Sequence, residues 1–593
     1  MGALFLSKLR KYKKVRGQTV YLLFLWYIYP FCCSTEYALP GLTAEYGGTV
    51  LLTVCTVFSL FRREIRRFNG ADVLFLLFVC WSGWRLSVEA EVVDNRMFMR
   101  GAGCLLLYFY FRCECPVNSF FGLLFGAGIL RALWGVLEQA GLWPSCYFGL
   151  AGTGGFHNTA LWGIFSVVAL LAGNTFYGHF RRSWQKWLWG AGMLFLLLAV
   201  FLSASRASWL GLAAGIVWLV MLSAWGRTVW ENFRCRYTGV SLFLSGCAVV
   251  TGIIGIGYGL YVLRPASVEG RYLIWRVIAG AVGEAPLLGH GALSASYMLR
   301  QADWFMNHPD SLYAMVADNT IYAFNEFLRV LYECGIVGLL LFAGLLTAVF
   351  CRAVKGDAAS RRAGALLVAV MCFGLFGYPL SDVQITGLVI VTLGRIAGSG
   401  GGHRLWSGVL PSSGRCAVIV VLAVFLFICT EQYIGGKHAD RLLFRAQTDL
   451  SVLSEGRLSQ AYQHWRGNPD FVLCYGKTLY NHAQYDKALP VLQQAAHLKP
   501  SSRLLCDIGD CYRHRGDNRA AESSYRLASW MIPTRILPHY RLFCLYRDEG
   551  MEAEAAGQAE RLLTMPVKVV NTSVLRYRHQ ARLFLSHYSS QHK

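Results

Sequence analysis

Charge is scarce in this chain. Asp, Glu, Lys and Arg together make up 15% of its 593 residues, against 55% apolar residues. That balance excludes an ordinary water-soluble globule, and the length exceeds one ordinary domain. Carboxylates are the scarcer sign, 34 against 56 basic residues, for a net charge of +22. The basic excess does not form the soluble basic patch that a nucleic-acid binder needs; many of these residues sit in short loops between apolar runs. Cysteine is plentiful at 19, yet no CxxC pair occurs. Most of the cysteines, such as Cys55, Cys80, Cys104, Cys247 and Cys372, lie inside apolar runs and act as small hydrophobes. A lone CxC (Cys113, Cys115) and a loose pair (Cys506, Cys511) remain, so neither a zinc site nor a disulfide framework is expected. The Gly-rich stretch GTGGFHNT (Gly152 to Thr159) lacks the GK[ST] ending, which excludes a P-loop. The apolar segment Val20 to Cys33, behind a basic N-terminus, lacks a small-x-small cleavage site and reads as an uncleaved first span.

What the chain has is a long series of apolar runs. They fall near 18–34, 46–61, 71–88, 101–111, 117–140, 158–176, 187–204, 207–225, 238–262, 335–351, 363–380, 383–399 and 416–432. Crossing a bilayer core takes about 20 apolar residues, so the expectation is an all-α polytopic bundle of about 12–13 spans. Loop charges support the count. Arginine and lysine recur in alternate loops (Arg62, Arg63, Arg66, Arg67; Arg181, Arg182, Lys186; Arg352, Lys355, Arg361, Arg362), whereas loops 34–45 and 141–157 have none. By the positive-inside rule the N-terminus is cytoplasmic. An odd number of spans then puts the C-terminal part on the opposite face.

After about Gly435 the chain changes character and begins to repeat. Gly476, Ala488, Ala495 and Pro500 recur 33 residues later as Gly509, Ala521, Ala528 and Pro533, and Pro566 repeats the interval. Tyr525 takes the large-residue position between its two alanines, and Glu554 replaces an alanine in the third unit. The pattern resembles the tetratricopeptide repeat, in which small residues let two helices pack closely and proline ends the second. The expected division is a membrane domain over 1–432, with a large outer loop at about 263–334, and a soluble repeat domain over 433–593. Stacked helix pairs usually bind partners on a concave surface.

The residues that could carry chemistry gather near one expected membrane boundary. Arg206, in FLSASRASWLGLAAG, lies between two apolar runs. It is either an intramembrane functional charge or a snorkelling anchor. Arg271 and Arg276 lie in GRYLIWRVIAGAV, and a guanidinium there would grip phosphate oxygens or rest on headgroups. His290, in the turn PLLGHG, is a candidate base or a structural residue, and His308 is a weaker candidate. In FNEFLRVLYECG, helical spacing pairs Glu326 with Arg329 and puts Asn325 on the same face as Arg329. That pair either caps a helix or positions Glu326 as a general base. His157 and Asn158 are candidates for contact with a glycan, or they cap the next span.

Taken in order, GTGGFHN, SASRASWLGL, GRYLIWR…PLLGHG and NEFLRVLYECGIVGLLLF resemble the O-antigen ligase and polymerase superfamily, in particular O-antigen ligase-like proteins with C-terminal tetratricopeptide repeats. The likeness covers about residues 150–345. It implies a membrane glycosyltransferase of the GT-C type in the bacterial inner membrane. Such an enzyme transfers a glycan from a polyprenyl diphosphate, usually undecaprenyl, to lipid A-core, a protein hydroxyl or a growing glycan, with neither nucleotide sugar nor metal. It also implies that Arg206 and Arg271 hold the diphosphate; on our own reading Arg329 adds to that grip and Asn325 orients a reacting group. Many relatives have a histidine immediately before that Asn. Here the position is Phe324, so Glu326, and after it His290, stand as substitute bases. The expected partners are the lipid-linked glycan, its acceptor, membrane lipids and a protein on the repeats, with no nucleic acid. The competing class is a polytopic exporter or a repeat-scaffold anchor. A transporter would show ionisable residues in mid-span, whereas Arg206, Arg271 and Glu326 fall at one boundary.

Overall fold

The computed structural model describes residues 37–39, 42–60, 66–88, 95–114, 117–143, 152–174, 180–236, 265–399, 406–408, 412–449 and 456–591, with single positions at 241, 251, 255, 259 and 262. The expected first span at 18–34 lies outside these residues, as do Cys115 and most of the expected span at 238–262. The described chain is helical apart from a two-stranded antiparallel clip, β1 (Arg66–Phe68) with β2 (Trp406–Gly408).

A π turn, Thr43–Gly47, leads into α1 (Gly48–Leu60), followed by α2 (Gly70–Val88), α3 (Asn95–Glu114) and α4 (Val117–Gln139). Then come α5 (Thr159–Gly173), α6 (Ser183–Leu202), α7 (Arg206–Met221) and α8 (Ala224–Arg236). The expected outer loop contains α9 (Pro265–Val282) and α10 (Leu293–Asn307). The bundle resumes with α11 (Glu326–Lys355), α12 (Ala358–Gly374), α13 (Val383–Gly398) and α14 (Ser412–Ala446). Five of the described helices contain stretches long and apolar enough to cross a membrane, namely α2, α4, α6, α11 and α14; α5, α7 and α13 are shorter and apolar. Apolar side chains point outward from them, including Trp187 and Leu194 on α6 and Val421 and Phe427 on α14. In a water-soluble protein such faces would be a liability, but in a bilayer they meet acyl chains. Between helices, small residues set the spacing. A Cβ on Gly211 of α7 would lie 2.7 Å from the Ala369 carbonyl of α12, so α7 and α12 pack backbone to backbone.

One break in α11 shapes the site. Gly335 has φ +67° and ψ −171° inside the helix, and the PLLGHG turn docks there. His290 N donates to the Tyr332 carbonyl at 2.7 Å, Gly291 N to Glu333 O at 3.2 Å, and Ile336 N to Pro286 O at 2.8 Å. A Cβ on Gly335 would lie 2.1 Å from Leu287 O, so only glycine fits the junction.

The C-terminal part is a run of helical hairpins. It begins with α15 (Arg457–Trp465), α16 (Pro469–Asn481), α17 (Tyr485–Leu498) and α18 (Ser502–His514). It continues with α19 (Asn518–Met531), α20 (Ile536–Asp548), α21 (Glu552–Thr564) and α22 (Thr572–Gln591). The alternating small residues sit at the hairpin contacts: Ala488, Ala495, Ala521 and Ala528 are buried, and a Cβ on Gly509 would strike the Tyr525 ring at 2.4 Å. The boundary expected between 432 and 433 falls inside α14, which runs unbroken to Ala446.

These hairpins are fastened to the outer loop. Leu293, Tyr297, Met298, Ala302 and Phe305 of α10 share one hydrophobic core with the hairpin interiors. Gln301, 1% exposed, donates to Met531 O at 2.6 Å. Lys568 Nζ donates to Ala317 O at 2.6 Å, and Asp318 lies 3.5 Å from Lys568 and 3.9 Å from Arg535.

Candidate functional site

Four helices begin at one place. Asn158 caps α5 by accepting from Ala160 N at 2.7 Å, and Ser205 caps α7 through Ser208 N at 3.3 Å. Asn325 caps α11 through Leu328 N at 3.0 Å, and Asp382 caps α13 through Gln384 N and Ile385 N at 2.9 and 3.1 Å. Contacts between the caps bring the four ends together. Ser208 Oγ donates to Ala160 O at 3.2 Å, Asn158 Nδ2 donates to the Tyr378 hydroxyl at 2.7 Å, and Leu380 N donates to Glu326 Oε1 at 2.7 Å. Each N-terminus carries partial positive charge, so their convergence favours an anion.

Two arginines add full charges there. Arg206 is the first residue of α7, and Arg271 lies on α9. Burial pushes the Arg271 guanidinium below its usual value, the Arg206 charge pushes the same way, and Tyr378 opposes them. Arg276, by contrast, is exposed on another face of α9. Arg271 lies over the Phe324 ring at 5.6 Å, and Phe324 meets Tyr378 edge-on at 5.1 Å. Phe324 adopts φ +51° and Ala204 φ +50°, so each of these turns holds a left-handed residue just before its helix cap. For a bulky side chain that costs about 1–3 kcal/mol, borne only where surrounding contacts enforce it.

The other expected residues divide. Asn325 is committed to its cap. Glu326 is 1% exposed. Its Oε1 accepts from Leu380 N, and its Oε2 lies 3.1 Å from Arg329, which also donates to Ser381 Oγ at 2.6 Å. Glu333, 3.7 Å from Arg329, accepts from Leu293 N at 3.1 Å. This network ties α11 to the turn before α13 and to the start of α10. If Glu326 is architectural, Glu326→Ala leaves Arg329 without its closest counter-ion and destabilises the protein by about 3–5 kcal/mol. Glu326→Gln, which can still accept from Leu380, then keeps transfer within about tenfold, a tolerance taken from the usual cost of one polar contact. Thermal unfolding in detergent and a transfer assay check the pair, and a stable but inactive Gln variant would instead make Glu326 the base. His290 lies near Tyr332, its Nε2 2.7 Å from Ala281 O, and so tethers the docked turn to α9. His308 stacks on Trp304 at the end of α10.

The loop before α5 is organised by two charges inside α4. Glu138 Oε2 accepts from Thr153 N, Thr153 Oγ1 and Gly154 N at 2.6, 2.9 and 3.1 Å. Arg131 donates to Gly154 O at 2.7 Å and to Gln384 Oε1 at 3.1 Å. They hold His157 beside the stacked Tyr322–Tyr378 pair, whose ring centres lie 4.0 Å apart, at 6.2 and 5.8 Å from the two rings and with its Nδ1 3.7 Å from Asp382 Oδ2. Burial pushes the His157 imidazole down, opposed by Asp382, and burial pushes the Asp382 carboxyl up. Arg131, Glu138, Tyr322, Tyr378 and Asp382 were not singled out from the sequence. Arg131 and Glu138 could have been: they stand seven residues apart in an apolar run, which puts them on one helix face.

An all-helical membrane bundle with two arginines beside converging helix N-termini is the class that this fold and site define. Residues 191–343 match the family model described as O-Antigen ligase, so this part of the membrane bundle is O-antigen ligase-like. The match contains Arg206, Arg271, His290, Asn325, Glu326 and Arg329; His157 and Asp382 lie outside it. No curated protein matches the chain.

Proposed function

We propose that this protein transfers a glycan from a polyprenyl diphosphate to an acceptor hydroxyl, on lipid A-core or on a protein, at the periplasmic face of a bacterial inner membrane. The observation that carries the reading is the placement of Arg206 at the start of α7 and of Arg271 over Phe324 just before the α11 cap, where four helix N-termini converge. Like charges repel, so their juxtaposition is stabilised by a multiply charged anion. A diphosphate leaving group gains charge as the glycosyl bond breaks, and fixed donors placed for that charge lower the barrier. The two guanidiniums would supply the neutralisation that a metal supplies in other transferases. The half-buried rings of Phe324 and Tyr322 lie beside them and could contact a sugar. With the N-terminus cytoplasmic, the hairpins stand in the periplasm, where they recruit an acceptor or a protein partner.

The test is a gel of surface glycolipid and glycoprotein from a deletion strain, with and without the wild-type gene. Loss of long glycan from an acceptor, with full-length polyprenyl-linked glycan accumulating, is the expected result and identifies the acceptor. Shortening of the lipid-linked glycan to single units would make the protein a polymerase. Unchanged glycans would leave an exporter or a scaffold.

A further inference from the structure

Phe324 cannot take a proton, Glu326 is held by Leu380 N at one oxygen and ion-paired with Arg329 at the other, which has no hydrogen bond, and the His290 ring tethers a turn. One other titratable group lies against the aromatic wall of the anion site. His157 connects through Tyr378 and Phe324 to Arg271 in three successive ring contacts of 5.8, 5.1 and 5.6 Å. Its two nitrogens differ. Nδ1 faces Asp382 Oδ2, while the other Asp382 oxygen is held by the first amides of α13, so the carboxylate cannot swing away. Nε2 is buried and has no hydrogen-bond partner. An unpaired buried nitrogen is costly, and that cost is removed when a hydroxyl docks against it. With the Nδ1 proton directed at Asp382, Nε2 carries the lone pair.

On the transfer reading above, we propose that His157 is the base that deprotonates the acceptor hydroxyl, with Asp382 as its positioning residue. The proton passes from the acceptor oxygen to Nε2, and that oxygen forms the bond to the anomeric carbon. The bond from this carbon to the diphosphate oxygen breaks, and its electron pair leaves on the diphosphate between Arg206 and Arg271. Water later takes the proton from Nε2. Burial favours the neutral imidazole that the step requires. The 3.7 Å separation from Asp382 is long for a hydrogen bond, as such contacts often are before substrate binds.

The experiment uses full-length protein in membranes that contain the host's polyprenyl-linked glycan, with sodium azide as an alternative nucleophile. Azide is already an anion and needs no base. His157→Ala and His157→Gln are expected to lower transfer by about 10²–10⁴-fold. Azide should restore consumption of the lipid-linked glycan in both and yield the glycosyl azide. Asp382→Asn is expected to lower kcat with the KM for lipid-linked glycan unchanged, again with azide rescue; a purely structural loss would not be rescued. Transfer within threefold of wild type in both His157 variants would overturn the assignment, and so would loss without azide rescue in variants that insert normally. If wild-type membranes transfer nothing, the transfer reading itself falls and this assignment with it.

Discussion

Arg206→Ala and Arg271→Ala are each expected to cut transfer by about 10²–10³-fold, the usual cost of removing one preorganised donor from a developing oxyanion. The double variant should be little worse than the poorer single one, because both side chains grip one leaving group and such effects do not add. Lysine at either position keeps the charge but loses the planar fork, so its rate should fall between alanine and wild type. The discriminating measurement is stability. The Arg206 charge disfavours the charged form of Arg271, so removing Arg206 relieves that repulsion, and the variant should unfold in detergent close to the wild-type temperature. A snorkelling anchor would behave the opposite way, with stability falling and transfer following it. Single-turnover transfer in membranes, paired with thermal unfolding of the same preparations, separates the two. An Arg206→Ala protein that is stable and fully active would remove the diphosphate role.

What could be read from the residues follows the range of the interactions. Apolar run length and loop charge are local, and each expected span among the described residues falls on a helix. The 33-residue interval likewise marks the hairpins, because close packing demands small residues at fixed places. The Glu326–Arg329 pair was legible from helical spacing and forms at 3.1 Å; the contact that Glu326 Oε1 accepts from Leu380 N was not, because Leu380 arrives from the turn before α13. His157 and Asp382 meet only through tertiary packing across most of the bundle, and no local pattern announces such a pair. The end of α14 was hidden for a different reason. Hydropathy drops near residue 432, but helix formation does not require an apolar sequence, and the helix continues to Ala446.

Deleting residues 456–591 is expected to abolish transfer, with the truncated chain scarce in the membrane. Binding of an outside partner is the usual role of a helical-hairpin array, and loss of a recruitment module alone would leave an intact, poorly fed enzyme. Here the hairpins also hold part of this chain. Without them Tyr297, Met298 and Phe305 of α10 lose their shared core, at roughly 1.5–3 kcal/mol for each large side chain newly exposed to water. Gln301 loses the carbonyl of Met531, and Ala317 and Asp318 lose Lys568 and Arg535. Those last two residues begin the segment that leads directly to Phe324 and Asn325. A milder variant separates holding from recruiting. Lys568→Ala combined with Arg535→Ala leaves the hairpins folded but releases Asp318, and should lower transfer by about tenfold, the loss of one or two partly exposed charged contacts. If the hairpins hold the loop, that loss falls on kcat at every acceptor concentration, with protein abundance unchanged. If they only recruit, it falls on the KM for acceptor, and a truncated chain given excess acceptor should transfer at the wild-type rate. The loop contacts favour the first outcome: the segment bearing Phe324 is fastened at one end to the hairpins and at the other to the α11 cap, so its strained turn depends on both.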